Sequence, residues 1–436
     1  MIRTYKYGEV APEDIFARTE MPANVENIVS EIIDTVRRDG DEALRRYNLE
    51  FDRSREPLEV TPEEIDEAYR SVDPELIEIL EEAAANIREF HSRQKRNSFI
   101  LNEKPGIVMG QKVVPIERAG LYVPGGTAAY PSTVLMNCIP AHIAGVSEII
   151  ITTPATDGKI SPVLLAAAKI GGANRIFRVG GAQAVAALAY GTETIPAVDK
   201  IVGPGNAFVA EAKKQVYGRV SIDMIAGPSE ILIVADGTCV PEVVAADMLS
   251  QAEHDRFATA VLVTDSPELA EAVPQELEKQ LKVLPREEIA RASIDHNGKI
   301  ILTEDIETAI DIANEIAPEH FELCVDNPFD YLDRIRNAGS IFLGKNCPEA
   351  LGDYFAGPNH TLPTGGTARF NSPLSVDDFT KKMQYSYYTE DALAKIADKV
   401  ARFAAEEGLD AHGRSVLVRK NRKGAVSHES IYQRTV

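Results

Sequence analysis

"EIIITTPATDGKISPVLLAAAKIGGANRIFRVGGAQAVAALAYG" (residues 148–191) decides the fold class. An Ile-rich run at 148–153 gives way to "SPVLLAAAKIGG" (161–172), then "RIFRV" (175–179), then "AQAVAALAYG" (182–191), with "KIVG" (200–203) beyond. Short Val/Ile-rich runs alternating with helical stretches call for parallel strands joined by crossover helices. The pattern restarts at "EILIVAD" (230–236), followed by a helix over about 240–253, "TAVLVTD" (259–265) and the helix "SPELAEAVPQELEKQL" (266–281). The expected fold is therefore α/β, with two incomplete Rossmann-like parallel-sheet domains and no residue-level repeat between them.

Outward from this block the texture changes. The N-terminal part is helical and charged, as in "NVENIVSEIIDTVRRDGDEALRRYN" (24–48), where the four-residue spacing of Ile28, Ile32 and Val36 predicts one buried stripe. After "NSPLSVDDF" (371–379) the tail reads as helical, and "DALAKIADKVARFAAEEG" stops at Gly408. Such a tail has too little core to stand alone, so it must dock on its own body or on a partner subunit.

Composition narrows the partners. With 67 acidic against 46 basic residues the net charge is −21, a field that repels nucleic acid and anionic membranes alike. The opening "MIRTYKYGEVAPED" has no apolar leader, and no apolar run approaches the length of a membrane span. Cys138, Cys239, Cys324 and Cys347 are widely spaced, which suits reduced thiols. A soluble, cytoplasmic protein is expected.

Three glycine turns follow strand-like runs: "YVPGGTAAYPST" (122–133), "VGGAQAVAALAYG" (179–191) and "VGPGNAFVAEAKK" (202–214). Any one could merely close a turn, since none is a GxGxxG fingerprint or a P-loop. Three in one block point to a nucleotide crevice at the strand ends. Polar clusters carry the remaining chemistry. "DMLSQAEHD" (247–255) sets Asp247, Gln251 and His254 on one helical face, where His254 and Gln251 could bind a metal. "LGDYFAGPNHTLPTGG" (351–366) is a Gly/Pro-rich loop with Asp353 and His360, and "EEGLDAHGRS" (406–415) carries Glu407 and His412. "IAPEHFELCV" (316–325) puts Glu319 beside His320 where a helix runs into Pro318 and a strand begins. The residues thus describe an α/β enzyme with a divalent metal and a nucleotide.

In chain order, "GLYVPGGTAAYPSTVLM", "VGGAQAVAALAYGTE", "DKIVGPGNAFVAEAK", "AGPSEILIVAD", "LSQAEHD", "APEHFEL", "GDYFAGPNHTLPTGGTARF" and "EEGLDAH" resemble the histidinol dehydrogenase family over nearly the whole chain. The resemblance implies two successive NAD-dependent oxidations of L-histidinol through its aldehyde to L-histidine, with one zinc ion per subunit. It implies Gln251, His254, Asp353 and His412 as metal ligands and Glu319 and His320 as the acid–base pair. Ser229, His320, His360 and Glu407, together with the four metal ligands, would contact the substrate, and Tyr122, Gln183 and Asn206 would contact NAD. The implied assembly is a homodimer in which His412 and Glu407 complete the partner's site. The implied division is an N-terminal segment packing with the tail (1–21), a first α/β domain with the metal and catalytic residues (22–121 and 231–371), an NAD-binding domain (122–230) and an exchanged helical tail (372–436).

Imidazole titrates near working pH and suits removal of a hydroxyl proton, while a neighbouring carboxylate can activate the water that adds to an aldehyde. Histidinol offers an imidazole and an amine, both good zinc donors, so the metal would anchor the substrate. Two rivals remain at this point: a zinc hydrolase with Glu319 as its base, and a non-catalytic zinc- or nucleotide-binding protein. The first leaves the glycine turns without a use, and the second leaves the Glu–His pair unexplained. Ligands of open α/β sheets usually sit beyond the carboxyl ends of strands, whereas Glu319 and His320 precede "FELCV".

Overall fold

The computed structural model describes residues 2–18, 25–125 and 130–421. In chain order its strands are β1 (Arg3–Lys6), β2 (Phe99–Leu101), β3 (Ile107–Pro115), β4 (Arg118–Tyr122), β5 (Glu148–Thr153), β6 (Arg175–Arg178), β7 (Lys200–Val202), β8 (Ser221–Ile222), β9 (Glu230–Ala235), β10 (Thr259–Thr264), β11 (Lys299–Leu302), β12 (His320–Cys324), β13 (Ser340–Leu343) and β14 (Thr380–Tyr388). They form a six-stranded sheet ordered β1-β11-β10-β9-β12-β13, a five-stranded sheet ordered β6-β5-β4-β7-β8, and a three-stranded sheet ordered β14-β3-β2. The first two are parallel, as the strand–helix alternation requires.

Both faces of each parallel sheet are covered, which is why their strands read as unbroken apolar runs. On β9, Ile231 and Ile233 pack with Val244, Met248 and Leu249, while Leu232 and Val234 face the opposite core with Ile310 and Ala313. On β5, Ile149 and Ile151 point into one cluster and Ile150 into the other. Each such fully buried aliphatic side chain contributes about 1.5–3 kcal/mol.

The chain divides into a larger unit, Met1–Lys95 with Pro115–Phe379, and a smaller one, Arg96–Val114 with Thr380–Val436. Both parallel sheets belong to the larger unit. Among the described residues no helix is long and apolar enough to cross a membrane.

Two local expectations need correction. In the helix Glu26–Phe51 the buried stripe is Val29, Ile32, Ile33 and Val36, whereas Ile28 is 50% exposed. A helix repeats every 3.6 residues, so strict four-residue spacing drifts off the buried face and Ile28 falls beyond its edge. The tail is also not helical from its start: Thr380–Tyr388 is β14, and helices Glu390–Glu406 and Asp410–Asn421 follow. Of the N-terminal segment, Arg3–Lys6 pairs with β11, and residues 19–21 lie outside the described ones.

Candidate functional site

One cavity of about 430 Å³ gathers two of the three glycine turns, those at 122–133 and 202–214, and most of the polar clusters; no residue of the turn at 179–191 lines it. Its walls come from two opposite kinds of strand end. Pro124 follows β4, and Gly203–Asn206 follows β7, so the five-stranded sheet presents its carboxyl edge. Ser229 precedes β9, Phe257 precedes β10, and Glu319 directly precedes β12, so the six-stranded sheet presents its amino edge. This resolves the apparent conflict over Glu319 and His320: the cavity is at the usual end of one sheet and the reverse end of the other.

On the first wall, Gly203 has φ +114°, and a Cβ there would lie 2.1 Å from the Tyr122 carbonyl oxygen. Only glycine permits that approach. The turn is held from below: Gly203 N donates to Asp223 Oδ2 at 2.7 Å, and Lys213 Nζ donates to Gly203 O at 3.0 Å. Lys213 and Asp223 are themselves a buried ion pair. Asn206 caps the helix Ala207–Val216, its Oδ1 accepting from Phe208 N at 3.1 Å and Val209 N at 3.2 Å. The positive end of such a helix dipole favours a phosphate. Asn206 lines the cavity; Tyr122 and Gln183 do not, and both are buried. The Tyr122 hydroxyl instead accepts from Gly181 N at 3.2 Å. Residues 126–129 of the first glycine turn lie outside the described ones.

On the second wall stand Ser229, Gln251, His254, Glu319, His320, Asp353 and His360. Gln251 ends the helix Pro241–Ala252 and His254 sits in the turn after it, with His254 N donating to Gln251 O at 3.2 Å. Asp247, expected on the same ligand-bearing face, instead pairs with the side chain of Glu322 and does not line the cavity. His320 Nδ1 lies 3.0 Å from the Glu230 carbonyl oxygen. A carbonyl can only accept, so Nδ1 carries a proton and Nε2 is the nitrogen free to exchange one. Nε2 faces Asp353 Oδ1 at 3.8 Å and is buried without a hydrogen-bond partner. Glu319 Oε2 accepts from Glu230 N at 2.9 Å and lies 3.7 Å from His320 Nδ1. His360 Nδ1 reaches the Asp353 carbonyl oxygen at 3.1 Å, and its Nε2 reaches Thr133 Oγ1 at 3.3 Å.

Burial pushes the Glu319 carboxyl up to about 8, against the pull of the adjacent imidazole. Burial works to lower His320, but Glu319 and Asp353 outweigh it and raise the imidazole to about 10. Glu349 is pushed up to about 7 by burial. Burial opposes ionisation of Asp353 too, yet the adjacent His320 imidazole and the charges of His360 and His254 keep that carboxyl low. Glu319 and Glu349 thus tend to hold protons near neutrality, whereas Asp353 stays ionised.

Donor atoms of His254, Glu349 and Asp353 all lie within 4.8 Å of one another. Gln251 Oε1 and Glu349 Oε2 are buried without a partner. Orphaned acceptors around a mixed nitrogen/oxygen set fit a zinc-like divalent cation, which would satisfy them. Glu349 was missed from sequence, although a signal existed: it stands four residues before Asp353 on the helix Glu349–Tyr354, hence on the same face. Glu407 and His412 belong to the smaller unit, where both are exposed around the break between its two helices.

The profile described as "Histidinol dehydrogenase" matches residues 17–420. The histidinol dehydrogenase of Syntrophotalea carbinolica is 53% identical over 409 residues, covering 93% of this chain and 95% of its own length. That of Clostridium acetobutylicum is 53% identical over 426 residues, covering 96% and 99%. The crystal structure of histidinol dehydrogenase from Elizabethkingia anophelis superimposes with a TM-score of 0.92 at 39% identity, covering 97% of this chain and 99% of that one. The chain belongs to the histidinol dehydrogenase family.

Proposed function

We propose that this member of the histidinol dehydrogenase family oxidises L-histidinol twice, through L-histidinaldehyde to L-histidine, passing one hydride to NAD in each step. The observation that carries the reading is the single cavity in which a helix-capping glycine turn faces a Glu–His pair and a divalent-cation donor set. A hydrolase would have no use for the first wall.

Gln251, His254 and Asp353 would hold a zinc ion, with Glu349 at the rear of the set and His412 supplied by a partner subunit. Bound there, the ion would anchor the substrate's imidazole and amine and offset the carboxylates that keep His320 protonated. NAD would lie along Gly203–Asn206, with Tyr122 and Gln183 supporting the turns beneath. His320 Nε2 takes the hydroxyl proton as the first hydride leaves the carbinol carbon. Glu319 then takes a proton from the water that adds to the aldehyde while His320 returns its proton to the aldehyde oxygen, and the resulting hydrate loses the second hydride to NAD as His320 takes a hydroxyl proton. General acid–base help of this kind is worth ~10²–10⁴-fold per group. Ser229 and His360 line the cavity where they can hydrogen-bond the substrate, and a partner's Glu407 would close it.

A homodimer is supported by the smaller unit, where Met383, Tyr385 and Tyr387 are exposed and, alternating along β14, share one face of its sheet. Apolar side chains exposed together in that way suit a surface that another chain covers. Mixing His412→Ala subunits with Glu319→Gln, His320→Ala subunits tests it: regained turnover in hybrids supports a shared site, and none despite proven exchange counts against it. The whole reading is tested by supplying histidinol and NAD to zinc-loaded protein and following NADH and histidine. Two NADH per histidine are expected; no NADH would overturn it.

A further inference from the structure

The acid–base pair is held by the backbone of a single residue. The backbone N–H of Glu230 donates to Glu319 Oε2 at 2.9 Å, and its C=O accepts from His320 Nδ1 at 3.0 Å. Orientation of the carboxylate and the tautomer of the imidazole therefore both depend on where residue 230 sits. Glu230 begins β9 and pairs with Thr259 of β10, so its main chain is fixed on one side by sheet pairing. Its side chain is fixed by something remote in sequence: Glu230 Oε1 accepts from Arg18 Nη1 at 2.6 Å.

Arg18 closes a loop around the pair. Its guanidinium also donates to the carbonyl of Ile316, the last residue of the helix Ile306–Ile316 that leads into Pro318 and Glu319. One planar group thus spans the strand bearing Glu230 and the segment delivering Glu319, a task for which a fork of donors is suited. The residues before it are anchored too. Lys299 Nζ donates to the carbonyls of Ile15 and Ala17, both at 2.9 Å, and Ile15 is buried against Leu232 and Val234. Room for the guanidinium is left by Gly366, whose Cβ would come within 2.7 Å of it.

We infer that Arg18 is a positioning residue for the oxidations: by pairing with Glu230 and Ile316 it sets the Glu230 backbone that orients Glu319 and His320. Burial pushes the Glu230 carboxyl up and Arg18 counters it, which accords with an ion pair that is needed rather than incidental. Removing the cation leaves a buried carboxylate beside Glu319, and like charges in that setting move apart or take up a proton. Either response shifts the Glu230 backbone, to which both catalytic groups are bonded.

The inference rests on Glu319 and His320 being the acid–base pair, so both variants of that pair are assayed alongside. Arg18→Met should lower kcat roughly tenfold or more in zinc-loaded enzyme while KM for NAD stays within twofold, since the glycine turn is on the other wall. Arg18→Lys should recover only part, because it cannot bridge both acceptors. Adding Glu230→Gln to Arg18→Met should restore most of the loss, as the neutral amide no longer needs a cation. A residue that merely staples the N-terminal segment would reduce the folded fraction in urea but leave kcat per folded molecule unchanged. The inference is overturned if folded Arg18→Met keeps kcat within twofold, or if Glu230→Gln gives no recovery in its background. Unchanged turnover in Glu319→Gln and His320→Ala would instead overturn the acid–base assignment itself.

Discussion

Gly203→Ala tests whether the first wall is a rigid cradle. At φ +114° a side chain is strained whatever the space, costing about 1–2 kcal/mol. The added methyl would also stand 2.1 Å from a backbone oxygen, so one or the other must give by about 1 Å. Neither has room to do so. The oxygen belongs to Tyr122, the last residue of β4 in the middle of its sheet, and Gly203 is gripped by Asp223 and Lys213. Overpacking of this kind adds about 1–3 kcal/mol, so the substitution should cost about 2–5 kcal/mol in total. Urea unfolding measures that loss. Whatever movement occurs is passed to Pro204–Asn206 and the helix start, so KM for NAD should rise at least tenfold, with KM for histidinol changing far less. A loss under about 1 kcal/mol with unchanged KM for NAD would refute the cradle.

Three further outcomes follow from the second wall. Glu319→Gln should slow oxidation of histidinaldehyde much more than oxidation of histidinol, measured by supplying each separately; equal losses would refute the division of labour. Glu349→Gln should weaken zinc affinity ~10–100-fold in a chelator competition, as loss of a supporting carboxylate does elsewhere, and an unaltered affinity would remove Glu349 from the metal set. Asp247 has its carboxyl pushed up to about 6 by burial, above the ~3.9 of an unfolded chain. Its protonated form therefore stabilises the fold below about pH 4, and that contribution is lost as pH rises through about 6. Asp247→Asn, always neutral, should gain on the wild type by about 1–3 kcal/mol between pH 5 and pH 8 in chemical unfolding. A difference independent of pH would show that Asp247 and Glu322 do not share a proton.

What could be read from sequence follows from how local each signal is. The strand–helix alternation survived because burial of both sheet faces leaves it written as apolar runs, as in β5 and β9. Gln251, His254, Asp353 and the Glu–His pair stood out because each belongs to a short polar cluster beside a turn. Helix phase was harder: three residues spaced by four named Ile28 as buried, where the 3.6-residue repeat selects Val29. Long-range placement was harder still. Asp247 shares a helical face with Gln251, yet its partner Glu322 comes from β12, some 75 positions on, and no spacing rule joins them. Arg18 and Glu230 are 212 residues apart, and their pairing exists only because β9 and the N-terminal segment meet in the folded chain.

The opposed sheet edges also explain why this site can hold two ligands of opposite character. At the carboxyl edge of a parallel sheet the crossover helices begin, and helices Gly181–Tyr190 and Ala207–Val216 direct the positive ends of their dipoles toward it. A dinucleotide's pyrophosphate belongs on that side. At the amino edge the helices end: Pro241–Ala252 finishes just before His254, and Ile306–Ile316 finishes just before Pro318 and Glu319. Helix ends present carbonyls and partial negative charge, which here adds to Glu319, Glu349 and Asp353. A divalent cation and an amine-bearing substrate belong on that side. Two sheets facing the same way would have produced a cavity of one polarity. Meeting carboxyl edge to amino edge, on the proposed reading they would place an electron acceptor with anionic phosphates across from a cationic alcohol. The position of Glu319 and His320 before their strand would then follow from which edge faces the cation.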